Sequence, residues 1–263
     1  MFEHIISIFW VGALSVTALF FVIWLIHLPL KNAAIVDIGW GLGFIVLCAV
    51  AIVMGEGFNT RNSILLTLIA LWGIRIVFFL IKRISREGKE DPRYQKFRLQ
   101  WGKDAQWRFL LLFESQALLE TVIGFAFIVI ALNPTPEISW LEIFGALVFL
   151  GALLGETIAD RQLQAFKRNL QNKGKICQVG FWNYSRHPNY FFEWLIWLGL
   201  FIYALPSPWG WTAVLSPAVM YWLMMHVSGV PLAEEQALKS RGEEYKKYQR
   251  TTSVFLPLPK RTS

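Results

Sequence analysis

Apolar residues run in long blocks separated by short polar breaks, and block length sets the first expectation. A helix needs about 20 apolar residues to cross the hydrocarbon core of a bilayer. Seven stretches come close to that length or reach it: Ile5–Ile26, Ala33–Met54, Ile64–Ile81, Phe109–Leu132, Leu141–Ala159, Tyr190–Leu205 and Trp209–Gly229. Turn-forming residues punctuate them at Pro29, Gly55-Glu56-Gly57, Asn133-Pro134-Thr135-Pro136 and Pro206-Ser207-Pro208. The pattern predicts an all-α fold, a polytopic bundle of seven transmembrane helices forming one domain over residues 1–263. The first block is too long for a signal-peptide core and has no basic residue ahead of it, so it is expected to remain as a span.

Charge orients this bundle. Nine Lys/Arg lie between Lys82 and Arg108, six between Arg161 and Arg186, and seven after Gly229, which is 22 of 25. The alternate loops hold only Arg61. The positive-inside rule then places the N-terminus outside and the C-terminus in the cytoplasm. Only 16% of the 263 residues are charged, against about 25% in soluble domains. The net charge of +7 therefore suits anionic lipid or an anionic cofactor better than nucleic acid. Cys48 and Cys177 have no metal-type spacing, so neither a disulfide nor a metal site is expected.

Ionisable residues inside the blocks are candidates for function, because the membrane makes them costly. Asp37 and Arg75 are expected to pair within the second and third spans, facing an enclosed cavity. Glu114, Gln116 and Glu120 read as one polar face of the fourth span, with packing the favoured role. His226 reads as an interface histidine. The run Gly39-Trp40-Gly41-Leu42-Gly43 lies inside a span, so close helix packing explains it better than a dinucleotide fingerprint does. In the basic loops, Lys and Arg interleave with Tyr and Trp, a mixture suited to a ligand with phosphates and a ring. Pro188 is placed to start the sixth span, with Asn189 and Glu193 sharing one face.

Several ordered motifs carry a resemblance. They are Tyr184-Ser-Arg-His-Pro-Asn-Tyr-Phe-Phe-Glu-Trp194, Ser228-Gly-Val-Pro-Leu-Ala-Glu-Glu235, the Tyr-rich, Pro-ending tail, Asp37-Ile-Gly-Trp40, Leu71-Trp-Gly-Ile-Arg75 and Glu90-Asp-Pro-Arg93-Tyr94. Together they resemble the steroid 5-alpha-reductase-like superfamily, in its bacterial branch DUF1295, over nearly the whole chain. The resemblance implies a seven-helix oxidoreductase of the bacterial inner membrane. Such an enzyme uses NADPH to reduce a C=C bond conjugated to a carbonyl in a lipid-soluble substrate. The cofactor-binding half would be approximately residues 138–263, and neither nucleic acid nor an obligate protein partner is implied.

Carried onto this chain, the resemblance makes Asp37, Arg75 and Glu193 the catalytic candidates. Asp160, Asn189, Tyr190 and Tyr245 would bind the cofactor, with Arg86, Arg93, Arg98, Lys167, Arg168, Arg186 and His187 as phosphate or ribose partners. The steroid-reducing members carry a Tyr in the third span that polarises the enone oxygen. Here Ile64–Ile81 has no Tyr, and Arg75 is expected in its place. An alternative comes from the isoprenylcysteine carboxyl methyltransferases. They share the Arg-His-Pro-x-Tyr element and the Glu-Glu tail, and they bind S-adenosylmethionine.

Overall fold

The computed structural model describes residues 2–57, 59–88 and 90–261. Ten α-helices lie among the described residues, joined by short 3-10 turns and loops and with no β-strand among them: α1 Phe2–Leu30, α2 Val36–Met54, α3 Thr60–Glu87, α4 Pro92–Trp101, α5 Ala105–Ile123, α6 Phe125–Ala131, α7 Trp140–Arg168, α8 Pro188–Ala204, α9 Leu215–Trp222 and α10 Val230–Thr251. Six segments are long and apolar enough to cross a membrane: Phe2–Leu30, Ala33–Met54, Thr60–Arg86, Pro92–Ala131, Trp140–Arg168 and Gly210–Thr251. They mark an integral membrane protein. Leu14, Phe78, Leu147 and Leu154 remain exposed on the helix flanks, where lipid would cover them.

The helices depart from the sequence expectation in informative ways. The sixth expected span forms α8, but its 17 residues reach only about 25 Å, short of a core about 30 Å thick. The fourth is broken at Gly124 into α5 and α6. The seventh is a composite: a 3-10 turn at Gly210–Val214, then α9, then a π-turn at Leu223–Val227 that carries the exposed His226. Helix α7 runs on to Arg168, so Asp160, Arg161, Lys167 and Arg168 stand on a helical extension and not in a loop. Helix α10 carries nine charged residues, too many for hydrocarbon, and is read as lying outside the membrane.

The chain divides into two compact units, residues 1–139 with 204–215, and residues 140–203 with 216–263. In the first unit, α2 packs against α1, α3, α5 and α6. Its glycines make that possible. A Cβ at Gly39 would lie 2.8 Å from Phe20 of α1. One at Gly41 would lie 2.7 Å from Ile76 and Val77 of α3 and 2.8 Å from the Gly73 carbonyl. One at Gly43 would overlap the carboxyl of Glu120 in α5. Within this unit Arg61 is buried and donates to the carbonyls of Asn133, Thr135 and Glu137, which fastens the turn after α6. The amide of Asn133 donates to Ser207 at 3.1 Å.

Helix ends follow local chemistry. Asn59 caps α3 by accepting the Asn62 N–H at 2.9 Å, and Gly88 closes it with φ 60°. In the second unit, α7 and α8 meet backbone to backbone. A Cβ at Gly145 would stand 2.5 Å from the Tyr203 nitrogen and 2.7 Å from the Gly199 carbonyl. Backbone cannot retreat as a side-chain tip can, so Gly145→Ala is expected to lower stability by about 1–3 kcal/mol. Thermal unfolding of the detergent-purified protein checks this; an unchanged midpoint would contradict the close crossing of α7 and α8.

Candidate functional site

The first unit builds a cluster around Asp37, in the first turn of α2, where the helix dipole favours a carboxylate. Its partners come from α4. Asp91 caps α4 by accepting the Arg93 N–H at 2.9 Å, and Pro92 occupies the first helical position. This start directs Arg93 and Tyr94 onto Asp37. The Tyr94 hydroxyl donates to Oδ1 at 2.8 Å, and Arg93 Nη2 donates to Oδ2 at 3.3 Å. The expected Asp37–Arg75 pair is therefore corrected: the carboxylate is held by Tyr94 and Arg93, because α4 folds back over the start of α2. Arg75 lies half-buried in α3.

Two further carboxylates hold α4 in place. Arg93 donates to Asp91 through Nε at 3.0 Å and Nη2 at 3.2 Å, and Arg83 of α3 donates to the same carboxylate at 2.8 Å. Glu90 takes both arms of the Arg98 fork, at 3.0 and 2.7 Å, and the backbone N–H of Ala33 at 2.7 Å. Arg98 also lies over the Phe109 ring, 4.8 Å from its centre. Arg93 and Arg98, expected as phosphate partners, thus engage the chain's own carboxylates. Burial works against ionising Glu90 and Asp91, but the hydrogen bonds from Arg98 and Arg93 outweigh it and hold both carboxyls below the usual range.

The second unit gathers donors on Glu234 of α10. Arg186 Nε donates to it at 2.7 Å, Gln249 at 2.8 Å, and His187 Nε2 and the Tyr245 hydroxyl lie 3.3 and 3.5 Å away. Burial opposes ionisation, but His187 and Arg186 prevail and hold the Glu234 carboxyl down to about 2. Arg186 also donates to the carbonyls of Gln249 and Thr252 at 3.0 and 2.6 Å. The tail is strapped to the same segment, with Arg186 N–H to Ser253 O at 2.8 Å and Ser185 Oγ to Phe255 O at 2.8 Å.

The remaining candidates lie along α7 and α8. The His187 and Tyr190 rings stack at 5.3 Å, within 5° of parallel. Glu193 accepts the Trp197 indole N–H at 2.9 Å, and Asn189 stands one turn before it in α8. Lys167 and Arg168 are exposed at the end of α7, as is Arg86 near the end of α3.

Sequence reasoning passed over Tyr94, Glu90, Asp91, Glu234 and Gln249 as site residues. One usable signal was Glu90-Asp91-Pro92: an acid directly before a proline, in a basic loop, is a helix-capping signature. Glu234 had no local signal, since its donors come from residues 186 and 187 and from one helical face of α10. Among the described residues, no group of three or more His, Cys, Asp or Glu could hold a metal ion.

The latch formed by Glu90 and Asp91 makes a pH prediction. Both carboxyls bind protons less readily in the folded chain than in an unfolded one. The latch is thus fully formed above the ordinary carboxylate range and is lost as pH falls through the depressed folded values. Pepsin cleavage of α4 in the native protein is expected to accelerate as the acid deepens through the depressed values, and trypsin reads the variant at neutral pH. Glu90→Gln should cleave faster already at neutral pH, with a flatter acid response; cleavage independent of both pH and Glu90 would contradict the latch.

A search of curated proteins and of solved structures returns no significant match. Residues 23–252 match the family described as "Protein of unknown function (DUF1295)". That stretch contains the Asp37 cluster and all the donors of the Glu234 cluster, and the chain belongs to this family.

Proposed function

We propose that this protein is a seven-span reductase of the bacterial inner membrane, N-terminus outside and C-terminus cytoplasmic, that uses NADPH to saturate the C=C bond of a lipid-soluble enone. One observation carries the reading: the Tyr94 hydroxyl meets the Asp37 carboxylate at 2.8 Å, at the start of a membrane helix. An acid–tyrosine pair beside a guanidinium is suited to a carbonyl oxygen that gains negative charge. The Tyr94 O–H, which donates to Asp37, would turn to the substrate oxygen, and Arg93 would offer an N–H beside it; donors positioned ahead of the reaction stabilise such charge best. Tyr94 of α4 would take the part of the tyrosine that Ile64–Ile81 lacks.

NADPH, when bound, would supply the hydride, and a proton taken up from water at the α-carbon would complete the saturation. The donor set of the second unit suits such a nucleotide. Lys167 and Arg168 are exposed cations for phosphate, and the half-buried Tyr190 ring is backed by the buried His187. Asn189 and Glu193 would contact the nicotinamide end. Arg186 would serve by position, since Glu234 and two carbonyls already take its donors.

A second reading has its own observation. Arg186 and His187 both touch Glu234, which joins the two elements shared with the isoprenylcysteine carboxyl methyltransferases. Isothermal titration with NADPH and with S-adenosylmethionine separates the two readings.

In detergent, the purified protein is expected to oxidise NADPH in the presence of a lipid-soluble enone. Tyr94→Phe should lower kcat about 100-fold with the fold retained; full activity in Tyr94→Phe would remove its role. Topology has a separate check. A cysteine at Glu137 should react with an impermeant maleimide in whole cells and one at Lys173 should not, and the reverse pattern would invert the orientation.

A further inference from the structure

Helix α4 has two sides, and the Asp37 cluster uses only one of them. The inner side packs on α5. Phe97 and Trp101 stack at 5.0 Å, Trp101 and Tyr94 meet the Phe109 ring at 5.0 and 6.4 Å, and the Arg98 guanidinium lies over that same ring. The outer side carries Gln95, Lys96, Leu99 and Gln100, all exposed. Leu99 is 85% exposed, and Trp107, in the first turn of α5, is 62% exposed. Single apolar residues on a water-facing surface are ordinary, but α4 does not lie on an ordinary surface. Residues 88–91 join it to the end of α3, and residues 102–104 join it to the start of α5. Both neighbours belong to membrane-spanning segments, so α4 stays close to the edge of the hydrocarbon. Arg93, Lys96 and Arg98 keep it out of the hydrocarbon itself. The helix is thus confined to the headgroup layer, where Leu and Trp side chains reach the acyl boundary.

The cations divide the same way. Arg93 and Arg98 donate to the chain's own carboxylates, Asp91, Asp37 and Glu90. Lys96, Lys103 and Arg108 are exposed, and none of them has a carboxylate partner among the described residues. Lys96 comes three residues before Leu99, and Lys103 comes four before Trp107. At those spacings a cation stands beside each apolar side chain. One exposed acid, Asp104, lies in this set, so the positive charges prevail.

We propose that this outer face is a binding site for anionic phospholipid: Leu99 and Trp107 enter the adjoining leaflet, and Lys96, Lys103 and Arg108 hold headgroup phosphates. A lipid phosphate suits the face better than a free one, because a free phosphate would leave the two apolar side chains in water. The lipid holds α4 from outside while Asp37 holds it from inside through Tyr94 and Arg93. The inference does not depend on what chemistry the Asp37 cluster performs.

The test reads lipid contact at α4 directly. A fluorophore is attached to Gln100→Cys in the full chain; Cys48 and Cys177 are buried, which leaves the new thiol as the reactive one. The protein is placed in nanodiscs of phosphatidylcholine and phosphatidylglycerol in equal parts, with bromine on the acyl chains of one lipid or the other. Quenching is expected to be about fivefold stronger when phosphatidylglycerol carries the bromine. Lys96→Gln, Lys103→Gln and Arg108→Gln together should make the two lipids equal, whereas Lys96→Arg with Lys103→Arg should keep the preference. Lys96→Gln alone should lower it to about twofold, which decides the matter should the triple variant fail to fold. Equal quenching by the two lipids without these substitutions, or a preference that survives the three glutamines, overturns the proposal. Absence of quenching by either lipid overturns it too and leaves the face to a water-soluble partner. Loss of the preference when inorganic phosphate replaces chloride at equal ionic strength also overturns it, by making the site one for free phosphate.

Discussion

The hydrogen bond from Tyr94 to Asp37 ties a membrane helix to the polar segment that follows α3. A carboxylate at the start of α2 needs donors, since an unpaired charge at that depth is costly. The donors come from α4, and α4 is where it is because Asp91 caps it, Arg83 reaches Asp91, and Glu90 joins Arg98 to the backbone of Ala33. Each of these contacts holds Tyr94 in place. Loss of one loosens the register of the others, so the cluster acts as a unit and its members are not additive.

The helices around this cluster need room more than apolar surface. Lipid is as apolar as a leucine side chain, so close backbone approach and polar contacts hold membrane helices together. Gly39, Gly41 and Gly43 meet α1, α3 and α5 in turn, and Gly145 with Gly199 does the same for α7 and α8. The glycine at position 43 has a second consequence, for it seats a carboxyl where a methyl group would not fit.

Block length made most helices legible, because a bilayer demands long apolar runs and the chain has them. The breaks were less legible. Gly124 breaks the fourth expected span, and a lone glycine after the polar residues Glu120 and Thr121 did not mark a break. Helix α7 outlasts its apolar stretch because Asp160 to Arg168 is a good helical sequence once outside hydrocarbon. The clusters were half legible. Asp37 stood out as an acid in an apolar block, but its partner was misread as Arg75 because sequence shows spans and hides how α4 folds back. Arg93, Arg98 and Arg186 looked like phosphate ligands because their carboxylate partners were not weighed: Asp91 and Asp37 lie two and 56 residues from Arg93, Glu90 eight from Arg98, and Glu234 48 from Arg186. The two short separations could have been guessed from local pattern, the two long ones not.

The two units carry different chemistry. The first gathers Tyr94 and Arg93 on the Asp37 carboxylate, and the second gathers Arg186, His187 and Gln249 on Glu234 and carries exposed cations at the end of α7. The reductase reading requires Tyr94 and Arg93, both held by Asp37, to touch a carbonyl. The absorption band of a bound enone reports this, since polarising its oxygen shifts the band to longer wavelength. The enone is expected to shift on binding to the wild-type protein and to lose most of that shift in Tyr94→Phe and Asp37→Asn. An equal shift in all three proteins would contradict the assignment.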